Sequence, residues 1–186
     1  RFVGDTAYIN VTAPSDNVTI EINGKSYDNG VFDNGVVRFA VTGLAYGNKT
    51  VVAIYGGNYR YEADSTTVNF TVSKRSSQVN VTASATVVGM DVIVNVTIPA
   101  NATGYVIVNV NGTNYTVNTT NGNGSVAIKD LGNGKYTVNV TYIGDDQYLS
   151  STNGTDFIIS RAQPTCRVNG TDSTYGAKEL IKFESD

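Results

Sequence analysis

The sequence has no histidine, no tryptophan, one cysteine and one methionine in 186 residues. Without histidine there is no imidazole general base, no Ser-His-Asp or Cys-His triad and no histidine metal ligand. A single cysteine excludes an intrachain disulfide and a cysteine-based zinc site. Leucine and methionine together supply five residues and glutamate four, so straight-chain helix formers are scarce. No apolar run approaches the roughly 20 residues of a membrane-spanning helix, and no signal peptide or lipidation motif is visible. The net charge is −3 and the basic residues are scattered, which gives no electrostatic footprint for nucleic acid. A chain that starts at Arg1 reads as a mature product or a fragment.

What is abundant is β-branched. Val, Ile and Thr supply 26, 12 and 23 residues, a third of the chain. These side chains are stiff at χ1 and fit a pleated surface, which argues against a helical bundle or an α/β enzyme. Apolar and polar residues alternate with period two over residues 8–12, 18–22, 106–110 and 136–142, the pattern of half-buried strands. Asn-Gly pairs punctuate them at Asn23-Gly24, Asn29-Gly30, Asn34-Gly35, Asn111-Gly112, Asn121-Gly122 and Asn133-Gly134. Asn-Gly tolerates the positive φ of a tight hairpin. About seven short strands per 86 residues predict an all-β, immunoglobulin-like β-sandwich.

The chain repeats itself. Residues 44–73 align without gaps on residues 131–160, an offset of 87, with nine of 30 positions identical, among them Val51/Val138, Tyr55/Tyr142, Tyr61/Tyr148 and Phe70/Phe157. Residues 4–12 align on 89–97 at an offset of 85, and Pro14 falls on Pro99. The period predicts two tandem sandwiches and a segment of a third: residues 1–74, a repeat without its first strand; residues 75–160, a complete repeat; and residues 161–186, the first strands of a third copy or a donor-strand tail. Cys166 falls on Val79, which predicts a small buried residue. Phe70 and Phe157 are expected to be buried alike, and the repeated tyrosines to pack their rings with the hydroxyl on a loop, as in a tyrosine corner.

The segment Tyr136-Thr-Val-Asn-Val-Thr-Tyr-Ile-Gly-Asp-Asp-Gln-Tyr148, closing on Phe157-Ile-Ile-Ser160, resembles the last two strands of bacterial-type Ig-like repeats. Such repeats occur in long surface adhesins, including adhesin-like proteins of methanogenic archaea. The resemblance covers both repeats, with Gly57-Asn58 where the motif has Gly-Asp. It implies a spacer on the cell surface, with archaea among the sources the resemblance suggests, and names no ligand.

Asn-X-Ser/Thr occurs at 14 positions: Asn10, Asn17, Asn48, Asn69, Asn80, Asn95, Asn101, Asn111, Asn114, Asn118, Asn123, Asn139, Asn153 and Asn169. Random order of 21 asparagines among 36 serines and threonines gives about four. The excess points to N-glycosylation of an extracellular protein, against the plainer reading that outward strand faces use Asn and Thr. Asp145-Asp146 lacks the spacing of a calcium loop, so no metal or other cofactor is expected. Lys25, Lys49, Lys129 and Lys135 fall beside turns without recurring, which speaks against a Lys–Asn isopeptide staple. Scattered acids give no paired carboxylates, so no catalytic residue is assigned and an enzyme is not expected.

These readings converge on an extracellular structural spacer or fibre segment of a glycosylated surface adhesin. Its partners would be neighbouring repeats or other copies of itself, joined head-to-tail by strand donation. In the tail, Cys166 and Val168 alternate with Arg167 and Asn169 as a donor strand should. The alternative is an adhesion module whose loop tips, residues 28–35 and 116–124, bind a host or cell-surface glycan or protein. Neither reading involves nucleic acid or a membrane.

Overall fold

The computed structural model describes residues 1–170 and 182–185. Among these there is no helix. Seven strands form a first sandwich: β1 (Ala7–Thr12), β2 (Val18–Ile22), β3 (Lys25–Tyr27), β4 (Val31–Asp33), β5 (Val36–Val41), β6 (Gly47–Tyr55) and β7 (Asp64–Val72). Eight form a second: β8 (Asn80–Ala83), β9 (Thr86–Val87), β10 (Val92–Thr97), β11 (Tyr105–Val110), β12 (Thr113–Asn118), β13 (Asn123–Ile128), β14 (Gly134–Tyr142) and β15 (Ser151–Ser160). Two more, β16 (Cys166–Asn169) and β17 (Lys182–Ser185), form a hairpin in the tail. The chain is all-β, with Ig-like sandwiches.

In the first sandwich the sheet β1-β5-β4 faces β3-β2-β6-β7; in the second, β13-β10-β8 faces β12-β11-β14-β15-β9. Alternation sorts the residues. β10 reads buried at Val92, Val94 and Val96 and exposed between them, and β2 buries Val18, Ile20 and Ile22. The inward sets make two separate cores, one around Ile20, Phe39 and Val51, the other around Val94, Val138 and Tyr142. At about 25 cal/mol per Å² of apolar surface, such cores are the main favourable term for each sandwich.

Four of the six Asn-Gly pairs are tight turns with positive φ at both residues: Asn23-Gly24, Asn34-Gly35, Asn111-Gly112 and Asn121-Gly122. Asn29-Gly30 is not. Gly30 is there for contact: a Cβ would lie 2.4 Å from Val37 Cγ1.

The first sandwich keeps more of its opening than the sequence suggested. Phe2 makes a parallel bridge to Ser73, as Thr86 and Val87 of β9 do to β15. What has no counterpart before β1 among the described residues is β8.

Lys74 and Arg75 join the two sandwiches. Arg75 takes a hydrogen bond path into the second: its N–H donates to the Gln147 carbonyl at 2.7 Å and its carbonyl accepts from Leu149 N–H at 2.8 Å. Its guanidinium turns back to the first, pairing with Asp5 and lying 5.4 Å from the Phe2 ring centroid. The Lys74 ammonium donates to the Asp145 carbonyl and sits 5.6 Å from the Tyr46 ring centroid. No free stretch of chain separates the sandwiches.

The tail ladder repeats an earlier one. β16 and β17 pair as Arg167↔Glu184, Val168↔Phe183 and Asn169↔Lys182. Subtracting 87 from each number gives Asn80↔Thr97, Val81↔Val96 and Thr82↔Asn95, the pairs of β8 and β10.

Candidate functional site

The feature that distinguishes the two sandwiches is an open flank on the first. In the second, β8 pairs with β10 and lies beside β15. Asn153 on β15 donates from Nδ2 to the Val79 carbonyl at 2.9 Å, and Ser77 Oγ donates to the Leu149 carbonyl at 2.7 Å. Val79 is buried beneath. In the first sandwich nothing described occupies this place. Ile9 and Val11 are half-buried, whereas their counterparts Val94 and Val96 are 0% and 1% exposed.

The same gap corrects the expectation for Phe70. Phe157 is 3% exposed and stacks on Tyr136 at 5.3 Å between centroids. Phe70 is only half-buried, and Lys49 stands opposite it where Tyr136 stands opposite Phe157. Val51 and Val138 are buried alike, as expected. Lys49, expected beside a turn, lies within β6 and is buried, its Nζ donating to the Tyr46 carbonyl at 3.5 Å.

Two cavities follow one another along the flank. One of about 280 Å³ is lined by Ala7, Ile9, Val51, Val68 and Phe70 among others. The next, about 110 Å³, touches Val11, Ala13, Ala53, Tyr55 and Thr66. Together they trace a groove between β1 and β7, with the unpaired edge of β1 along one side. An open sheet edge is a template for a further strand.

The tyrosine positions divide in the same way. Tyr142 is fully buried and its hydroxyl donates to the Thr103 carbonyl at 3.0 Å. Burial, together with the Asp145 carboxylate nearby, holds that hydroxyl above the ordinary phenol range, so it remains a donor. Tyr148 is buried and donates to Asn101 Oδ1 at 2.6 Å. Tyr61, its counterpart, is 49% exposed, contrary to expectation, because no segment like residues 75–77 runs beside it among the described residues.

Asp145 organises this corner. Its Oδ1 accepts from Gln147 N–H at 2.8 Å and Tyr148 N–H at 2.7 Å; its Oδ2 accepts from Thr103 N–H at 2.7 Å and the Thr103 hydroxyl at 3.1 Å. Burial pushes the carboxyl upward, but the N–H donors of Thr103, Tyr148 and Gln147 outweigh it and hold it below the ordinary carboxylate value. Asn58, at the matching position, reproduces only the first half, accepting from Arg60 and Tyr61 N–H. Sequence reading missed this role, because Thr103 lies 42 residues away.

All the asparagines of the glycosylation motif whose burial is described are exposed; Asn169 is on β16, its side chain outside the described residues. Asn114, Asn109 and Asn139 form a row across β12, β11 and β14, with Asn109 Nδ2 donating to Asn114 Oδ1 at 2.6 Å. Three members spend their amide nitrogen on backbone: Asn17 on Gly57 at 2.8 Å, Asn123 on Asn121 at 3.0 Å, and Asn153 on Val79.

In the tail the structure corrects one expectation. Cys166 is exposed, not buried, and Val168 is 61% exposed, because among the described residues β16 pairs with β17 and no second sheet lies over it. Among the described residues β16 pairs with β17 and not with the first sandwich.

Neither a protein-family model nor a characterised protein sequence matches the chain. Three solved structures show a partial likeness to the chain. The fibronectin(III)-like modules of CbhA from Clostridium thermocellum are 14% identical, covering 86% of this chain and 87% of theirs, with a TM-score of 0.40. Dimeric latent PorU from Porphyromonas gingivalis is 17% identical over 80% of this chain and 16% of its own, TM-score 0.32. The Bacteroides ovatus mixed-linkage glucan utilisation locus protein SGBP-B, in complex with a mixed-linkage heptasaccharide, is 13% identical over 95% of this chain and 46% of its own, TM-score 0.29.

Proposed function

We propose that this chain is an extracellular structural segment of a glycosylated surface adhesin, in which Ig-like sandwiches repeat along a fibre and hold other parts at a distance. The observation that supports the reading is the tail ladder: β16–β17 repeats the register of β8–β10 at an offset of 87, as the opening of a third unit would. An array whose units touch only their neighbours is quasi-one-dimensional and serves as a spacer. The joint at Lys74-Arg75 supports a stiff one, being tied by backbone hydrogen bonds on one side and the Asp5 pair on the other. The exposed asparagines suit a surface carrying glycans. In this reading the partners are neighbouring repeats and other copies met head-to-tail, and the place is the cell surface.

Small-angle X-ray scattering of the 186-residue protein tests it. The expected curve is that of one elongated particle, and Arg75→Ala should broaden it. A compact side-by-side pair, or a freely jointed ensemble in the unmodified protein, would count against a spacer.

A further inference from the structure

We propose that Asn153 is a self-modification site: the backbone nitrogen of Gly154 attacks the Asn153 side-chain amide, ammonia leaves, and the tie between β15 and the start of β8 is lost. The step needs no reactant beyond water and stands apart from the fibre reading above.

The strand sets up the attack. β15 pairs antiparallel with β14, Asn153 opposite Val140 and Gly154 opposite Asn139. Ser160, at the end of β15, accepts from Val88 N–H on the side away from β14. Backbone groups alternate sides along an antiparallel strand, so Gly154, an even number of residues from Ser160, also points away from β14. Its N–H therefore stands outside the ladder. It finds its acceptor in the residue before it, Asn153 Oδ1 at 2.8 Å. The Asn153 Cγ is one C=O bond, about 1.2 Å, behind that oxygen. Nitrogen and carbon thus start close to the roughly 3–3.5 Å of a near-attack pair.

Neighbouring groups hold this arrangement. Asn153 Nδ2 donates to the Val79 carbonyl at 2.9 Å, which fixes the carboxamide with its oxygen toward Gly154. Gly154 lies inside a strand and does not have a positive φ, so no turn requires a glycine there. A Cβ would lie 3.0 Å from the Val138 carbonyl oxygen and 3.1 Å from Asn139 Oδ1. Without one, the nitrogen is unshielded. Asn153 is exposed, so water and hydroxide reach the pair. Other Asn-Gly pairs turn their amides elsewhere. Asn23 Oδ1 accepts from Thr50 N–H at 2.9 Å, and Asn123 Nδ2 donates to the Asn121 carbonyl at 3.0 Å.

Hydroxide or water takes the Gly154 amide proton and the nitrogen attacks. The N–Cγ bond forms, the Cγ–Nδ2 bond breaks, and Nδ2 leaves as ammonia with a proton from water. A five-membered succinimide now joins the two residues. Water opens it at either carbonyl: breaking the new N–Cγ bond gives aspartate, and breaking the original peptide bond gives isoaspartate. Nothing is oxidised or reduced. Either product removes the donor to Val79 and sets a carboxylate against that carbonyl, two acceptors without a proton between them. Isoaspartate also lengthens the backbone of β15 where it pairs with Val140. The start of β8 loses its side-chain tie to β15. A glycan on Nδ2 and a ring closure that expels Nδ2 exclude one another, so the glycosylation motif at Asn153 ends in the same step.

Peptide mapping by mass spectrometry tests this on the whole protein, made in a host that leaves Asn-X-Ser/Thr unmodified. The protein is aged in mildly alkaline buffer with and without urea, and urea gives each Asn-Gly pair its unfolded rate. In the folded protein Asn153 should keep at least that rate, losing ammonia and then gaining water, while Asn23, Asn34 and Asn111 slow by about tenfold or more. Hydrogen exchange should then run faster in β8 of the aged protein than in fresh material. Asn153→Gln, whose ring would need one more atom, should keep both its ammonia and its β8 protection through the same ageing. Exchange of the fresh variant establishes that it folds. Folding that slows Asn153 as much as the turn pairs overturns the proposal. So does conversion that leaves β8 fully protected, or ageing that frees β8 equally in Asn153→Gln.

Discussion

Asn153 donates its side-chain amide to the carbonyl of Val79 at 2.9 Å, tying the opening strand of the second sandwich to its last. Thr66 holds the matching position in the first sandwich, where no such strand is found among the described residues. Replacing Asn153 by alanine leaves a carbonyl without its donor, which costs about 1–3 kcal/mol for a buried group. Urea unfolding should show that loss in the second sandwich, and Thr66→Ala should leave the first unchanged.

The same bond bears on glycosylation. An amide nitrogen already committed to backbone is a poor acceptor once the protein has folded. When the chain is made in a host that modifies Asn-X-Ser/Thr, site-resolved glycopeptide mass spectrometry should find Asn17, Asn123 and Asn153 less occupied than Asn80, Asn95 and Asn139. Equal occupancy at all six would contradict this, and no glycan at any would return the motif excess to plain strand polarity.

Asp145 predicts a pH dependence with a definite sign. Four donors hold its carboxyl below the ordinary value in the folded state. Its contribution to stability is therefore complete above the unfolded pKa, about 3.9, and is lost as pH falls through the lower folded value. Asp145→Asn keeps an acceptor for Gln147 and Tyr148 but turns an N–H toward Thr103. We expect it to cost about 1–3 kcal/mol at pH 7, from lost charge-assisted bonds, and to flatten the acid limb of denaturant midpoints measured from pH 6 to pH 2.

Phe157 and Phe70 should separate in a mutational comparison. Phe157→Ala empties a sealed site and should cost about 3–5 kcal/mol, a large part of one small sandwich's stability. Phe70→Ala should cost clearly less, because Phe70 already borders a cavity of about 280 Å³. Equal losses in paired unfolding curves would mean that the flank is closed in solution.

Much of this was legible in the residues. Period-two alternation placed β1, β2, β11 and β14, and the Asn-Gly pairs marked three hairpins, β2–β3, β4–β5 and β11–β12, and the turn from β12 into β13. The repeat was visible as identity at a fixed offset. Burial was legible only where it depends on a residue's own strand and partners. Phe70 and Tyr61 were misjudged because their cover is a segment lying far away in sequence in the complete repeat, and a matching residue does not bring its neighbour's neighbour with it. Asp145 stood in the repeat motif without a role assigned to it; only folding brings Thr103 to it. Cys166 was read from its counterpart Val79, whose burial needs an opposing sheet that β16 does not have among the described residues.

The central claim is that, among the described residues, the first sandwich repeats the fold of the second without a counterpart of β8, and amide hydrogen exchange tests it most directly. At a concentration where the protein sediments at 19.8 kDa, the alternate amides of β1 that point away from β5 should exchange within minutes, while their counterparts in β10, bonded to β8, exchange only with global unfolding. Uniform protection along both faces of β1, equal to that of β10, would mean that something already fills the groove, and the account would be wrong.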